Sequence, residues 1–207
     1  MFTYRVKRGG TEVFSSEARA PKSAAQPYRF VAFGDCGAGT ADQKPLAYRA
    51  FVAKPDFVVI PGDIVYDEGR ISEYHERFWP VYNADDPSPA SGVPLLRSTL
   101  VVAAPGNHDT ASRDLDKHPD GLAYFLYWDQ PRNGPLANEG SAIVPPLVAS
   151  DSNRRAFSSA AGDAYPRMTN FSFDYGNAHW TIVDSNPYVD WTDAELLQWV
   201  ERDLAGA

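Results

Sequence analysis

Hydrophobic positions along this chain fall into two kinds of run. Near the start they alternate: "TYRVK" and "EVFSSEA" place apolar and polar groups on opposite faces, and Arg8-Gly9-Gly10 between them is a hairpin signal. After the linker-like "PKSAAQP" the style changes. "YRFVAFGD", "DFVVIPGD" and "STLVVAAPGN" are near-continuous apolar runs, each predicting a buried strand. Between them, "KPLAYRAFVAK" spaces Leu46, Ala50 and Phe51 as a helix does, and "ISEYHERFWPVYN" is also helix-like. That alternation predicts an α/β fold. Residues 111–165 are broken by "HPDG", "QPRNGP" and "VPPL", so they read as a loop excursion over a functional face. Beyond them, "TNFSFDYGNAHWTIVDSN" predicts a hairpin turning at Tyr175-Gly176-Asn177. "TDAELLQWVERDL" predicts an amphipathic helix, with Thr192 as N-cap and Glu195 closing a capping box.

The three buried strands end alike, at Gly34-Asp35, Gly62-Asp63 and Gly106-Asn107. In α/β sheets functional groups gather beyond the carboxyl ends of strands, and glycine there lets the chain turn sharply. Asp35, Asp63 and Asn107 can therefore surround one point although they are far apart in sequence. Carboxylates and an amide carbonyl are hard oxygen ligands, suited to Mg, Mn, Fe or Zn, and one carboxylate can bridge two metals. Tyr66 follows Asp63 closely enough to offer a phenolic oxygen to the same point. A phenol with an ordinary pKa near 10 loses its proton to a strongly Lewis-acidic ion such as Fe(III), so a tyrosine ligand points to iron. Any one Gly-Asp pair is more simply a turn, and any one such tyrosine a packed ring. Three such ends in this order, each after a buried strand, are much harder to obtain by chance.

The blocks "GDCG" (34–37), "GDIVY" (62–66) and "GNHD" (106–109) resemble the first three signature blocks of the purple acid phosphatases, within the calcineurin-like metallophosphoesterase superfamily. The resemblance extends through "EYHERFWPVYN", "FSFDYGNAHWTIVDSN" and "LLQWVERDL", covering about 29–205. It implies an α-β-β-α two-sheet sandwich and acid phosphatase-like hydrolysis of small phosphate esters at a dinuclear centre. By position it implies Asp35 and Tyr66 as ligands of Fe(3+). Asp63 would bridge to a divalent Fe, Zn or Mn, which Asn107 would bind. His108 would be a general acid or donor to the leaving-group oxygen, with Asp109 orienting it. Cys36 is at a variable position of its block and is expected to be packed.

The same family carries two further blocks, a single His and a Gly-His-X-His, that supply three imidazole ligands. The four histidines here are His75, His108, His118 and His179, and none stands in the matching context. His75 reads as helix packing, His118 as a loop residue and His179 as a strand residue. The expectation is therefore a domain truncated at both ends, with the remaining ligands beyond Ala207. The parts are then 1–20, a β-hairpin closing a fibronectin-III-like domain, a linker at 21–28, and 29–207, the N-terminal part of the metallophosphoesterase domain. Such a piece is expected to be poorly stable and weakly active. A non-catalytic member of the fold, or a Mn/Zn-type phosphodiesterase, stays open as an alternative.

Composition adds exclusions. A net charge of -8 without a basic stripe argues against a nucleic-acid partner. No apolar run reaches the roughly 18 residues of a membrane span. With Cys36 the one cysteine, no internal disulfide can form. "GDCGAGT" lacks the Lys-Ser/Thr ending of a phosphate-binding loop and the glycine spacing of a dinucleotide fingerprint, which argues against a nucleotide-binding doubly wound domain. "MFTYRVKRGG" has no signal-peptide stretch, whereas the resemblance implies export of a longer parent.

Overall fold

The structure, a computed structural model, describes residues Met1–Ala207. β1 (Phe2–Arg8) and β2 (Thr11–Ala18) pair antiparallel around Gly9 and Gly10, whose φ angles of 56° and 86° suit the paired left-handed positions of a tight hairpin turn. This hairpin rests on the short helix Leu95–Ser98. The Tyr4 hydroxyl donates to the Arg97 carbonyl at 2.8 Å, and the Arg97 guanidinium lies 5.5 Å from the Phe14 ring centroid. The linker is tied down at Asp56, which accepts from the Arg29 amide at 2.9 Å and pairs with Arg19 and Lys22.

The centre is a parallel sheet of β3 (Phe30–Ala32), β4 (Phe57–Ile60) and β5 (Leu100–Ala103), in that order. All four residues of β4 are buried, as expected of a middle strand covered on both faces. Alternation sends them two ways. Val58 and Ile60 join the main core with Ala47 of the helix Gln43–Val52 and with Tyr74, Phe78 and Tyr82. Phe57 and Val59 face the antiparallel hairpin of β6 (Phe171–Tyr175) and β7 (Ala178–Ile182). There the Phe57 ring lies 4.4 Å from Tyr175 and 5.3 Å from Trp180, and Phe30 lies 4.8 Å from Trp180. Each such aromatic pair contributes about 0.5–1.5 kcal/mol beyond its buried area. Helices thus cover one face of the parallel sheet and a hairpin covers the other.

Two local expectations are corrected. "YRFVAFGD" forms only a three-residue strand, and Phe30 is 44% exposed. The reason is position: β4 has a neighbour on each side, whereas β3 is an edge strand. The N-cap of the helix Ala194–Ala205 is Asp193, not Thr192. The Asp193 carboxylate accepts from the amides of Glu195 and Leu196, while the Thr192 hydroxyl donates to Asp190 at 2.6 Å.

The helix-like stretch after β4 runs Ile71–Glu73, a π-helical turn Tyr74–Phe78, then Trp79–Tyr82. Residues 111–165 are irregular as expected, broken by the short helix Tyr124–Tyr127, the longer helix Asp151–Ala161 and the start of the short helix Ala164–Arg167. Buried Tyr124 anchors this region to the sheet, its hydroxyl 2.9 Å from the carbonyls of both Ala103 and Met168.

The C-terminal helix closes over the β6–β7 hairpin through one carboxylate. Asp203 accepts from Ser172 at 2.5 Å and Thr181 at 2.8 Å, and pairs with His179 Nε2 at 2.9 Å. His179 Nδ1 also reaches Asp174 at 2.7 Å. The two carboxylates raise the pKa of His179. Partial burial raises that of Asp203, but the Ser172, His179 and Thr181 hydrogen bonds outweigh it and hold Asp203 below the usual carboxylate range.

Candidate metal centre

Glycine packing sets the spacing of the three strand ends. A Cβ on Gly106 would lie 2.2 Å from Asp63 Oδ1, one on Gly62 2.8 Å from the Gly106 Cα, and one on Gly34 3.0 Å from the Gly62 carbonyl. The ends therefore meet backbone to backbone. Directly after two of these glycines, Asp35 and Asp63 adopt φ angles of 53° and 51°, in the left-handed region that non-glycine residues rarely visit. Such positions cost about 1–3 kcal/mol each and cluster at functional sites. Backbone hydrogen bonds hold them: Asp35 N to Gly62 O at 3.3 Å and Cys36 N to Asp63 O at 3.0 Å.

This backbone brings Asp35, Asp63 and Tyr66 together. The Tyr66 hydroxyl donates toward Asp35 Oδ1 and toward Asp63 Oδ2, the latter at 2.9 Å. Burial pushes the Tyr66 phenol pKa upward, and the hydrogen bonds to the two carboxylates push it further. The other oxygen of Asp63 accepts from the His108 amide at 3.0 Å, tying the second strand end to the third. Asp35, Asp63 and Asn107 line one cleft of about 560 Å³, and Asn107 is exposed in it.

His108 stacks obliquely on Tyr66, with ring centroids 4.2 Å apart. Its Nδ1 lies 2.7 Å from the Asp67 carbonyl oxygen. A carbonyl can only accept, so Nδ1 carries a proton and Nε2 is left without a protein partner. The group orienting this imidazole is thus the Asp67 backbone and not Asp109. Asp109 is fully buried and turned inward, where its carboxylate accepts from the amides of Ile64 (3.0 Å), Val65 (3.3 Å) and Gly106 (2.8 Å). Burial pushes the Asp109 pKa up to about 7, against the opposing pull of those amides. Its place is to lock two strand-end turns together. Cys36 is buried, with Sγ 3.6 Å from the Ile64 carbonyl, and packs as expected.

The donor chemistry fits a hard cation: two carboxylates converge on a phenol oxygen, and an exposed amide shares their cleft. Imidazoles do not join them. His75 Nε2 is 2.8 Å from the Tyr127 hydroxyl, His118 Nδ1 is 3.7 Å from Glu68, and His179 serves the Asp203 cluster. No group of three or more His, Cys, Asp and Glu side chains is placed to hold a metal.

Sequence reasoning missed a fourth wall. Ser185 and Asn186, just after β7, line the same cleft. The Asn186 amide donates to the Pro105 carbonyl at 3.1 Å and to Asp184 at 2.8 Å, and the Tyr188 hydroxyl donates to the other Asp184 oxygen. The signal was present as an apolar strand ending in the polar triplet Asp184-Ser185-Asn186, but it lacks the glycine that marks the other three ends.

Two acidic strand ends on left-handed backbone and one amide-bearing end thus face a single cleft at the carboxyl edge of the parallel sheet of an α/β protein. The family is more specific still. Residues 28–205 match the calcineurin-like phosphoesterase family, and the chain belongs to it. No individual curated protein matches the chain. Membership carries metal-dependent phosphoester hydrolysis as the chemistry of the fold and phosphate esters as the substrate class. No helix is long and apolar enough to cross a membrane.

Proposed function

We propose that this protein is a phosphoesterase of the purple acid phosphatase type, acting on small phosphate esters and not on nucleic acid. The observation that carries the reading is the convergence of Asp35 and Asp63 on the Tyr66 hydroxyl. Asp35 and Tyr66 would hold Fe(3+), Asp63 would lie between it and a divalent Fe, Zn or Mn, and Asn107 would hold the second ion. His75, His118 and His179, engaged with Tyr127, Glu68 and the Asp203 cluster, do not supply the imidazoles that the purple acid phosphatase resemblance implies. Bound there, the two cations would supply Lewis acidity and neutralise charge during in-line displacement at phosphorus.

The remaining steps belong to the chain's own side chains. His108, fixed through Nδ1 by the Asp67 carbonyl, presents Nε2 to the leaving-group oxygen and donates a proton to it when the ring is doubly protonated. Asp109 holds the amides of Ile64, Val65 and Gly106, and so keeps Asp63 and Asn107 in register. Asn186 braces the turn before Asn107 from the other side through Pro105.

The test is spectroscopic. Protein loaded with iron should show a visible tyrosinate-to-iron charge-transfer band that Tyr66→Phe removes. Protein that retains no iron under iron-replete conditions would sink the iron assignment and leave a Mn/Zn-type phosphodiesterase. A non-catalytic member is the second reading, favoured by the lack of a three-residue His/Cys/Asp/Glu group. Residues 1–207 alone are expected to bind metal weakly and to hydrolyse p-nitrophenyl phosphate slowly. Two metals per molecule and ordinary enzyme rates would show that no further ligands are needed.

A further inference from the structure

A second cleft, of about 490 Å³, shares Asn107, Asn186 and Pro187 with the first and is further lined by Thr110, Ala111, Arg113 and Tyr188. Its polar groups are unevenly occupied. The Thr110 hydroxyl donates to the Gly106 carbonyl, the Tyr188 hydroxyl donates to Asp184, and the Asn186 amide is shared between Asp184 and Pro105. Arg113 differs. Its guanidinium makes no ion pair and no side-chain hydrogen bond, and sits 5.7 Å from the Tyr188 ring centroid. The ring restrains the guanidinium plane while leaving its N–H groups unpaired, the arrangement suited to forked recognition of a carboxylate or phosphate. No other cationic side chain lines either cleft at the site. In a chain of net charge -8, one unpaired guanidinium beside the ligand Asn107 is a selective feature.

We infer that the Arg113 cleft is the leaving-group subsite and selects phosphoesters whose alcohol portion carries a second anionic group. This rests on the reading of the Asp35–Asp63–Asn107 cleft as the phosphoryl site. With the phosphoryl group at Asn107, the leaving group extends past it into the cleft, where the guanidinium meets the distal anion and Pro187 with the Tyr188 ring offers apolar walls.

The test separates this subsite from turnover. Binding of two non-hydrolysable ligands, benzylphosphonate and 4-carboxybenzylphosphonate, is measured calorimetrically on the metal-loaded protein. Hydrolysis of phenyl phosphate and 4-carboxyphenyl phosphate is followed alongside. The carboxylated phosphonate should bind about tenfold more tightly, as one charge-assisted forked contact allows. Arg113→Ala should erase that preference while leaving benzylphosphonate binding unchanged, and Arg113→Lys should keep part of it. Arg113→Gln, polar but uncharged, serves as the folding control, because the Arg113 backbone pairing with Val148 needs no side chain. Equal binding of the two phosphonates, or a preference that survives Arg113→Ala, overturns the subsite. Carboxylate preference in binding without any hydrolysis supports it and overturns the catalytic reading alone. Binding of neither phosphonate overturns both.

Discussion

Two carboxylate clusters, one against the β6–β7 hairpin and one at the end of the parallel sheet, show how differently the same side chain is used. On the β6–β7 hairpin, Asp203 is met by Ser172, Thr181 and His179, so its charge is matched by three donors. At the ends of β3 and β4, Asp35 and Asp63 face each other across one phenol, on a backbone held left-handed. The first cluster joins a helix to a hairpin. The second brings two like charges together, held there by the packed glycines, by backbone hydrogen bonds, by the Tyr66 hydroxyl and by the His108 amide. The same side chain fastens the fold where three donors meet it and lines an open cleft where one phenol is shared.

Breaking the acidic pair should give the largest effect. Asp63→Asn should lower metal affinity at least about 100-fold while leaving the melting temperature unchanged or higher, since it removes a like-charge contact and asparagine tolerates a left-handed φ better. Metal titration with a thermal melt checks both halves; a large drop in melting temperature would show that Asp63 is structural. Next in size, Asp203→Ala should destabilise by about 2–4 kcal/mol, because it strands the buried Ser172 hydroxyl and the half-buried Thr181 and His179 donors, and should spare metal affinity. Denaturant unfolding measures it, and a change below about 0.5 kcal/mol would dissolve the contrast between the clusters. Gly106→Ala should affect both regimes, costing about 1–3 kcal/mol through its clash with Asp63 and loosening the metal site as well.

The smallest expected effect is in pH. His179 has its pKa raised in the folded state, so its contribution is complete below about pH 6.5 and fades as pH rises through the raised value. Asp203 is lowered, so its contribution is complete above about pH 4 and fades as pH falls through the lowered value. Stability from this clasp is therefore greatest between those limits. His179→Gln should flatten the alkaline side of a melting-temperature profile and leave the acid side. A profile indistinguishable from wild type would remove His179 from the clasp.

Much of this was legible in the residues, for reasons that differ by element. β4 and β5 announce themselves because an apolar run ending in glycine and a polar residue has few other uses in an α/β chain. Asp35, Asp63 and Tyr66 followed from strand ends alone, since topology converges what sequence separates. β3 was overestimated because apolar composition reports burial of a run, not which strand lies at the edge. Thr192 lost the cap to its neighbour Asp193, a choice between adjacent residues that depends on backbone angles. The orienting of His108 fell to the Asp67 carbonyl and not to Asp109 for a similar reason: which group of a turn points inward is set by how neighbouring turns share amides. The Asp184–Asn186–Tyr188 wall was missed because its polar strand end lacks the glycine that punctuates the other three.

The glycine contacts at the three strand ends have a consequence for how such a centre is tuned. Because Gly34, Gly62 and Gly106 touch through their main chains, the span between the acidic groups is a property of polypeptide thickness and not of rotamer choice. A ruler made of backbone cannot be recalibrated by one side-chain substitution. Metal preference and substrate range can then drift through the loops while the gauge of the site stays fixed, and transplanting the site would require moving three adjoining strand termini together.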